Sequence, residues 1–400
     1  MVEVDRCLAS CIFEEMAPMN DISFYFQPVD DSLVVLEGRL GQSMRIHDEC
    51  GFPDLDSSGV AVIYVPEYRN GNIPNGVNES FRQSLYDSFK GDSWNGVVYD
   101  LGTIVPGEKV EDTYYAVANV VGELVKNDIL PIIVGGSQDL TMACYRGFEK
   151  LEQTINICAI DNKLDIGEPD SEIHSDGFVS HLLMQRPCYL FNYTTIGVQR
   201  PFVSRSEVDL FDKLFFDICR LGAFNANFKV AEPHLRNSDV ITMDFGSIKA
   251  GEIDASCYDN ANGFYAEQVC QLAKYSGISD KVSCLGLFNV HPEQNRMASS
   301  LTAQIIWYFI DGVAQRVGDF PIGSKKNYVK FHVHMDDFND DLVFYRSDKS
   351  NRWWLEVKYP AGQSGKYERH QLVPCDQGDY DGAMNNQIPN LWWKTIQKLS

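Results

Sequence analysis

Four hundred residues, 44% hydrophobic and 22% charged, make a chain long enough to bury a large core, which excludes a disordered segment or a small disulfide scaffold. Against 34 basic residues stand 56 acidic ones, a formal charge of −22. That balance repels phosphate backbones and anionic membrane surfaces, so neither nucleic acid nor a membrane is an expected partner.

The first buried strand is Val60-Ala61-Val62-Ile63-Tyr64-Val65, ended by Pro66 and followed by an Asn/Gly/Pro-rich loop over 70–76. A short helix is expected from about Glu79 to Phe89, then a second buried run, Gly96 to Asp100. Val117, Val120, Val121, Leu124 and Val125 recur at helical spacing and predict an amphipathic helix. It feeds the apolar run Leu130 to Val134, stopped by Gly135-Gly136. A helix over Leu140–Leu151 precedes the strand Ile155 to Ile160, which ends at Asp161. Later strands are expected at 194–198, at 240–243 before Asp244, and at 283–288 before Asn289. Helices are expected near Glu207–Leu221 and Tyr265–Tyr275, and in the Leu301 to Val313 stretch.

Short apolar runs without polar alternation, spaced by helices, require a mostly parallel sheet covered on both faces, a three-layer α/β/α domain. The pattern breaks near residue 320. Strand-like runs follow at 328–335, 341–345 and 353–357, then a Trp-rich helix over Leu391–Leu399. The expected division is a main domain over 1–320 and a β-rich appendage over 321–400. Eleven cysteines, scattered and without a Cys-x-x-Cys pair, read as reduced thiols. With an acidic N-terminus and no apolar run approaching the roughly 20 residues of a membrane span, they place the chain in the cytoplasm.

In open parallel sheets, chemistry gathers beyond the carboxyl ends of the strands. There this chain carries Gly135-Gly136-Ser137-Gln138-Asp139, Asp161-Asn162-Lys163-Leu164-Asp165 and Asp244-Phe245-Gly246-Ser247. Asp161, Asp165 and Asp244 are expected to converge on one rim, where carboxylates suit a hard cation. The ordered set resembles the signatures of the ureohydrolases, the fold family of arginase, agmatinase and formimidoylglutamase: Gly-Gly-Asp-His-Ser, Asp-Ala-His-x-Asp and Ser-x-Asp-x-Asp-x-x-Asp-Pro. The resemblance runs from about 59 to 320 and implies the arginase-like fold.

It also implies a two-manganese site of two histidines and four aspartates. Here the histidine positions fall on Gln138 and Lys163 and one aspartate position on Gly246. Glutamine is a weak neutral ligand, glycine offers none, and an ammonium has no lone pair. The family's substrate-pairing acid falls on Asn289, and its proton-shuttling histidine lies about one residue from His174. The resulting expectation is a catalytically silent relative that keeps Gln138, Asp161, Lys163, Asp165, His174, Asp244 and Asn289 as a binding site. The Lys163 ammonium is expected to fill the metal's place. No cofactor is then expected, and the partner is a small ligand or a protein, in a homo-oligomer.

The alternative is a C–N hydrolase with a single manganese or magnesium ion, using Lys163 or His174 as the acid/base group. A third reading puts a surface metal site at His332 and His334, with Asp336 and Asp337 following, and an interface at Trp353-Trp354 and Trp392-Trp393. Asp244-Phe245-Gly246 also spells a kinase tripeptide, but no His-Arg-Asp or glycine-rich loop accompanies it.

Overall fold

The computed structural model describes residues 21–168, 170–253, 259–291, 296–321, 325–335, 341–358 and 367–399. Ten strands form one sheet: β1 (Phe26–Gln27), β2 (Arg45–Ile46), β3 (Gly59–Tyr64), β4 (Val97–Ile104), β5 (Ile129–Val134), β6 (Ile155–Ile160), β7 (Leu190–Val198), β8 (Asp217–Arg220), β9 (Val240–Asp244) and β10 (Cys284–Phe288). Their order is β1-β4-β3-β5-β10-β9-β6-β7-β8, with β2 also on β4. All pairs are parallel except β1 with β4.

The run Val60 to Val65 shows why the sheet is covered twice. Val60, Val62 and Tyr64 enter one apolar cluster, which also holds Leu272, Ile305 and Phe309 from the helices Ala266–Ile278 and Arg296–Ala314. Ala61, Ile63 and Val65 enter the other, with Val117, Val120, Val121 and Leu124 from the helix Val110–Lys126. Strand alternation sends successive side chains to opposite faces, so a strand apolar at every position needs a core on each side.

One expectation fails at the sheet's edge. The segment read as a helix over Glu207–Leu221 is helical only over Arg205–Lys213. The chain then reverses at Phe215, whose φ is 57°, and Asp217–Arg220 pairs in parallel with β7. A left-handed residue cannot continue a helix, and Ile218 and Cys219 are better used against the sheet.

A second, antiparallel sheet follows: β11 (Tyr328–Val333), β12 (Leu342–Ser347), β13 (Trp353–Glu356) and β14 (Leu372–Cys375), in that order. Alternation predicts one tryptophan of the pair exposed or docked, either back on the main domain or at an interface; Trp353 and Trp354 are both buried. Trp353 stacks on Tyr380 of the helix Gln377–Met384, with ring centroids 4.9 Å apart. Trp354 lies 4.5 Å beneath the Arg236 guanidinium of the main sheet's side. Arg236 also donates to the carbonyls of Trp353 (2.9 Å) and Cys375 (3.0 Å). Nearby, Arg369 donates to the buried Asp239 at 2.6 Å, beside Lys281 at 3.5 Å. Trp393 is half exposed on the last helix, Asn390–Leu399.

Candidate functional site

Neighbouring strand ends assemble the rim. β5, β10, β9 and β6 lie side by side at the middle of the sheet, so residues far apart in sequence meet beyond their carboxyl ends: Gln138, Asn289, Asp244 and Asp161. The chain leaves β5 on one side of this group and returns as β6 on the other, the switch point at which open α/β sheets form crevices. The loop after β5 turns through Gly135 (φ 91°) and Gly136 (φ 73°). A Cβ on Gly136 would fall 2.8 Å from the Glu67 carbonyl oxygen, so this turn into Gln138 requires glycine.

Asn289, itself at φ 53°, ties three strand ends together. Its N–H donates to the Gly136 carbonyl at 2.7 Å, and its Oδ1 accepts from the Gln138 N–H at 3.2 Å. Its Nδ2 donates to Asp244 Oδ1 at 2.8 Å, and the Gly246 N–H donates to the same oxygen at 2.8 Å. Asp161 Oδ1 accepts from the Lys163 N–H at 2.9 Å. Asp165 stands against Asp161, and these two with Asp244 are almost wholly buried.

Burial and then the Asp244 charge push Asp161 up to about 7, against the hydrogen bonds from Asp165 and the Lys163 N–H and the Lys163 charge. Burial, then the Asp161 charge and the hydrogen bond to it, hold Asp165 well above the usual carboxylate range, so Asp165 keeps a proton that it shares with Asp161. Burial also raises Asp244, against the donors from Gly246 and Asn289 and the positive charge of Lys163. Adjacent carboxyls in low dielectric retain protons for this reason.

The Lys163 ammonium does not fill the metal's place. It pairs with Asp176 at 3.0 Å on a half-exposed wall. Burial works against its charge, but Asp176, then Asp165 and Asp244, outweigh it and raise the ammonium. Asp176 also accepts from Asn72 Nδ2 at 3.0 Å. Its attraction, together with the open wall, draws the flexible lysine stem away from the buried acids. His174 is half-buried beside the rim, where its Nδ1 accepts the Asp176 N–H at 3.3 Å.

Lys163, Asp176, Asp244 and Asn289 line a cavity of about 320 Å³ together with Asn72, Asp259 and Asn260. Sequence reasoning missed Asn72, Asp259 and Asn260, which come from loops with no motif. Asp176 carried a signal, lying two residues from His174. Behind the cavity, Gln138 is 1% exposed, and neither its Oε1 nor its Nε2 has a hydrogen-bond partner among the described residues. Such an orphaned amide costs about 1–3 kcal/mol per group unless water or a ligand meets it.

The donor set does not fit a two-manganese centre. It comprises three buried carboxyls, one amide and an ammonium in place of two imidazoles and a fourth carboxylate, and a Cβ on Gly246 would come within 3.2 Å of both Asp244 oxygens. Among the described residues no group of three or more His, Cys, Asp or Glu side chains converges to hold a metal ion. At the appendage, His332 and His334 are exposed and face Asp341 at 3.6 and 3.2 Å, while Asp336 and Asp337 lie outside the described residues. The described cysteines are unpaired, and among the described residues no helix is long and apolar enough to cross a membrane.

Solved structures share this fold at low identity. Trypanosoma cruzi formiminoglutamase with Mn2+2 is 17% identical, covering 65% of this chain and 95% of that one with a TM-score of 0.58. Formimidoylglutamase from Bacillus subtilis is 15% identical, covering 78% and 97% at 0.58. The agmatine ureohydrolase of Thermoplasma volcanium is 18% identical, covering 70% and 96% at 0.55. No curated protein matches the chain. The model of the Arginase family matches residues 74–311, more than half of the sequence and the span that carries all four strand ends of the rim, and the chain therefore belongs to the arginase family.

Proposed function

We propose that this chain does not hydrolyse guanidino, amidino or formimino compounds and uses the rim cavity to bind a small polar ligand or a protein partner. The observation that carries the reading is the cross-linking of Asp244, whose Oδ1 takes donors from Asn289 and Gly246. The residues at those two positions hold the carboxylate to the protein, where the family's pattern has a substrate-pairing acid and a further ligand. Gln138 and Lys163 remove the two imidazoles, and without a metal pair no bound water is acidified toward neutral pH.

The test is to assay the purified protein with arginine, agmatine and formiminoglutamate in added manganese. Release of urea or formamide at background rate is expected, and sustained turnover abolished by Asp161→Asn would overturn the proposal.

One observation favours a second reading. Gln138 Oε1 is a buried oxygen without a donor among the described residues, and Asp161 Oδ2 takes none from a nitrogen or hydroxyl group; with the proton shared between Asp161 and Asp165 displaced, such atoms suit a single hard cation. Metal analysis after dialysis separates the two: a stoichiometric divalent ion supports the second, and its absence from folded protein supports the first.

A further inference from the structure

A second cavity, of about 370 Å³, lies at the opposite end of the sheet, where the C-terminal appendage closes over the amino ends of β7, β8 and β9. One wall is the helix Asn390–Leu399 with Asn192 and Phe191 of β7. The other is the helix Gln377–Met384 with His234. Charge is arranged unevenly around it. Lys394 is neutralised within the wall, donating to Asp217 and to the Phe216 carbonyl, each at 2.8 Å.

Lys398, one helical turn on, donates to the Asn192 side-chain oxygen and has no carboxylate ion pair among the described residues. Its neighbour His370 is 2% exposed and stacks on Phe191, with centroids 3.8 Å apart. His370 Nε2 meets the Thr154 hydroxyl at 3.1 Å, while Nδ1 has no hydrogen-bond partner among the described residues. Burial, with the positive charges of Lys281 and Arg369, keeps this imidazole neutral. In the tautomer with its hydrogen on Nδ1, Nε2 accepts from the Thr154 hydroxyl and Nδ1 offers an N–H that nothing among the described residues receives.

On the other wall Asp376 and Asp379 bond reciprocally to each other's backbone N–H at 3.0 Å, which uses one oxygen of each. The two form the capping box of the helix Gln377–Met384, and the second oxygen of each is left for solvent or a ligand. The cavity thus presents an ammonium without an ion pair and a partnerless imidazole nitrogen on one side, and on the other two carboxylates, each with one oxygen outside the capping box.

A simple anion would face the carboxylates and a simple cation the ammonium, so only a ligand carrying both charges matches both walls. We propose that this cavity binds a small zwitterion, its carboxylate received by Lys398 Nζ and His370 Nδ1 and its cationic amino end by Asp376 and Asp379. The volume falls within the ordinary range of small-molecule sites. The site is separate from the rim, and the proposal stands whether or not the rim is catalytically silent.

The test titrates the full chain by calorimetry with three probes of one length: 6-aminohexanoate, hexanoate and hexylamine. Saturable binding of 6-aminohexanoate alone is expected, weakened about tenfold or more by Lys398→Met and by His370→Phe, which keeps the stack on Phe191. Asp244→Asn at the rim should leave it unchanged. Equal binding of hexanoate, no binding of any probe, or undiminished binding to folded His370→Phe would each overturn the proposal. Should Lys398→Met fail to fold, the probe comparison and His370→Phe decide the matter.

Discussion

Replacing Asp161 by asparagine should stabilise the protein, and more so in alkali. The Asp161 carboxyl sits at about 7 in the folded chain against an ordinary value of 3.8. The folded state therefore binds this proton more tightly than the unfolded state, and ionisation penalises folding. The penalty is negligible below the ordinary value, grows as pH rises from there to about 7, and is constant above.

At about pH 8 that difference amounts to about 4 kcal/mol, of which about 2 kcal/mol is relieved by acidifying to about pH 5.5. The asparagine side chain would keep an oxygen for the Lys163 N–H, now accepted at 2.9 Å, while removing a charge beside Asp165 and Asp244. Denaturant unfolding of wild type and Asp161→Asn in chelator at the two pH values reads the effect directly. The variant should be the more stable at both, with the gap roughly halved at the lower pH. An equal or lower stability at the higher pH, or a gap that does not shrink on acidification, would refute the picture of acids sharing protons. Loss of wild-type stability on adding chelator would do so too, because a bound cation would be keeping the carboxylates ionised.

Other consequences are as specific. Asn289→Asp places a carboxylate where Nδ2 now donates to Asp244 at 2.8 Å; it should cost about 2 kcal/mol near neutral pH and less in acid, measured by the same unfolding method. Arg82 is wholly buried and grips Asp100 through Nε (2.8 Å) and Nη2 (3.1 Å), so Asp100→Ala should destabilise by about 3–5 kcal/mol in a thermal melt. Arg236→Ala removes the donors to Trp353 and Cys375 and the stack on Trp354; limited proteolysis should then cut within 321–399 earlier than in wild type, while fragments of the main sheet persist.

The sheet's central strands were legible because they are short, largely apolar runs without polar alternation, closed by glycine or by a polar residue, a pattern that a doubly covered parallel strand needs. Asp161, Asp244 and Asn289 were legible for the same reason, since a residue directly after such a strand must lie on the rim. The strand Asp217–Arg220 was not, because four residues with two charges show no periodicity and only the reversal at Phe215 separates them from the helix before. The direction of the Lys163 ammonium was equally hidden. Spacing fixes where its backbone sits, but the balance between Asp176 on the open wall and the acids beneath depends on distances that sequence does not encode. Burial of Trp353 and Trp354 escaped notice because alternation predicts two faces without saying that both are covered.

The Arg369 contact has a bearing on how the chain is made. Asp239 sits at the foot of β9 and accepts from the Asn156 N–H at the foot of β6, yet its nearest guanidinium arrives 130 residues later. During synthesis the two central strands can pair long before that cation leaves the ribosome, and until then the buried carboxylate at the base of the sheet has Lys281 as its one cation among the described residues. Arrival of Arg369, rather than formation of the sheet, is thus the step that closes this end of the structure. Ribosome-bound chains halted before Arg369 should remain open at this end.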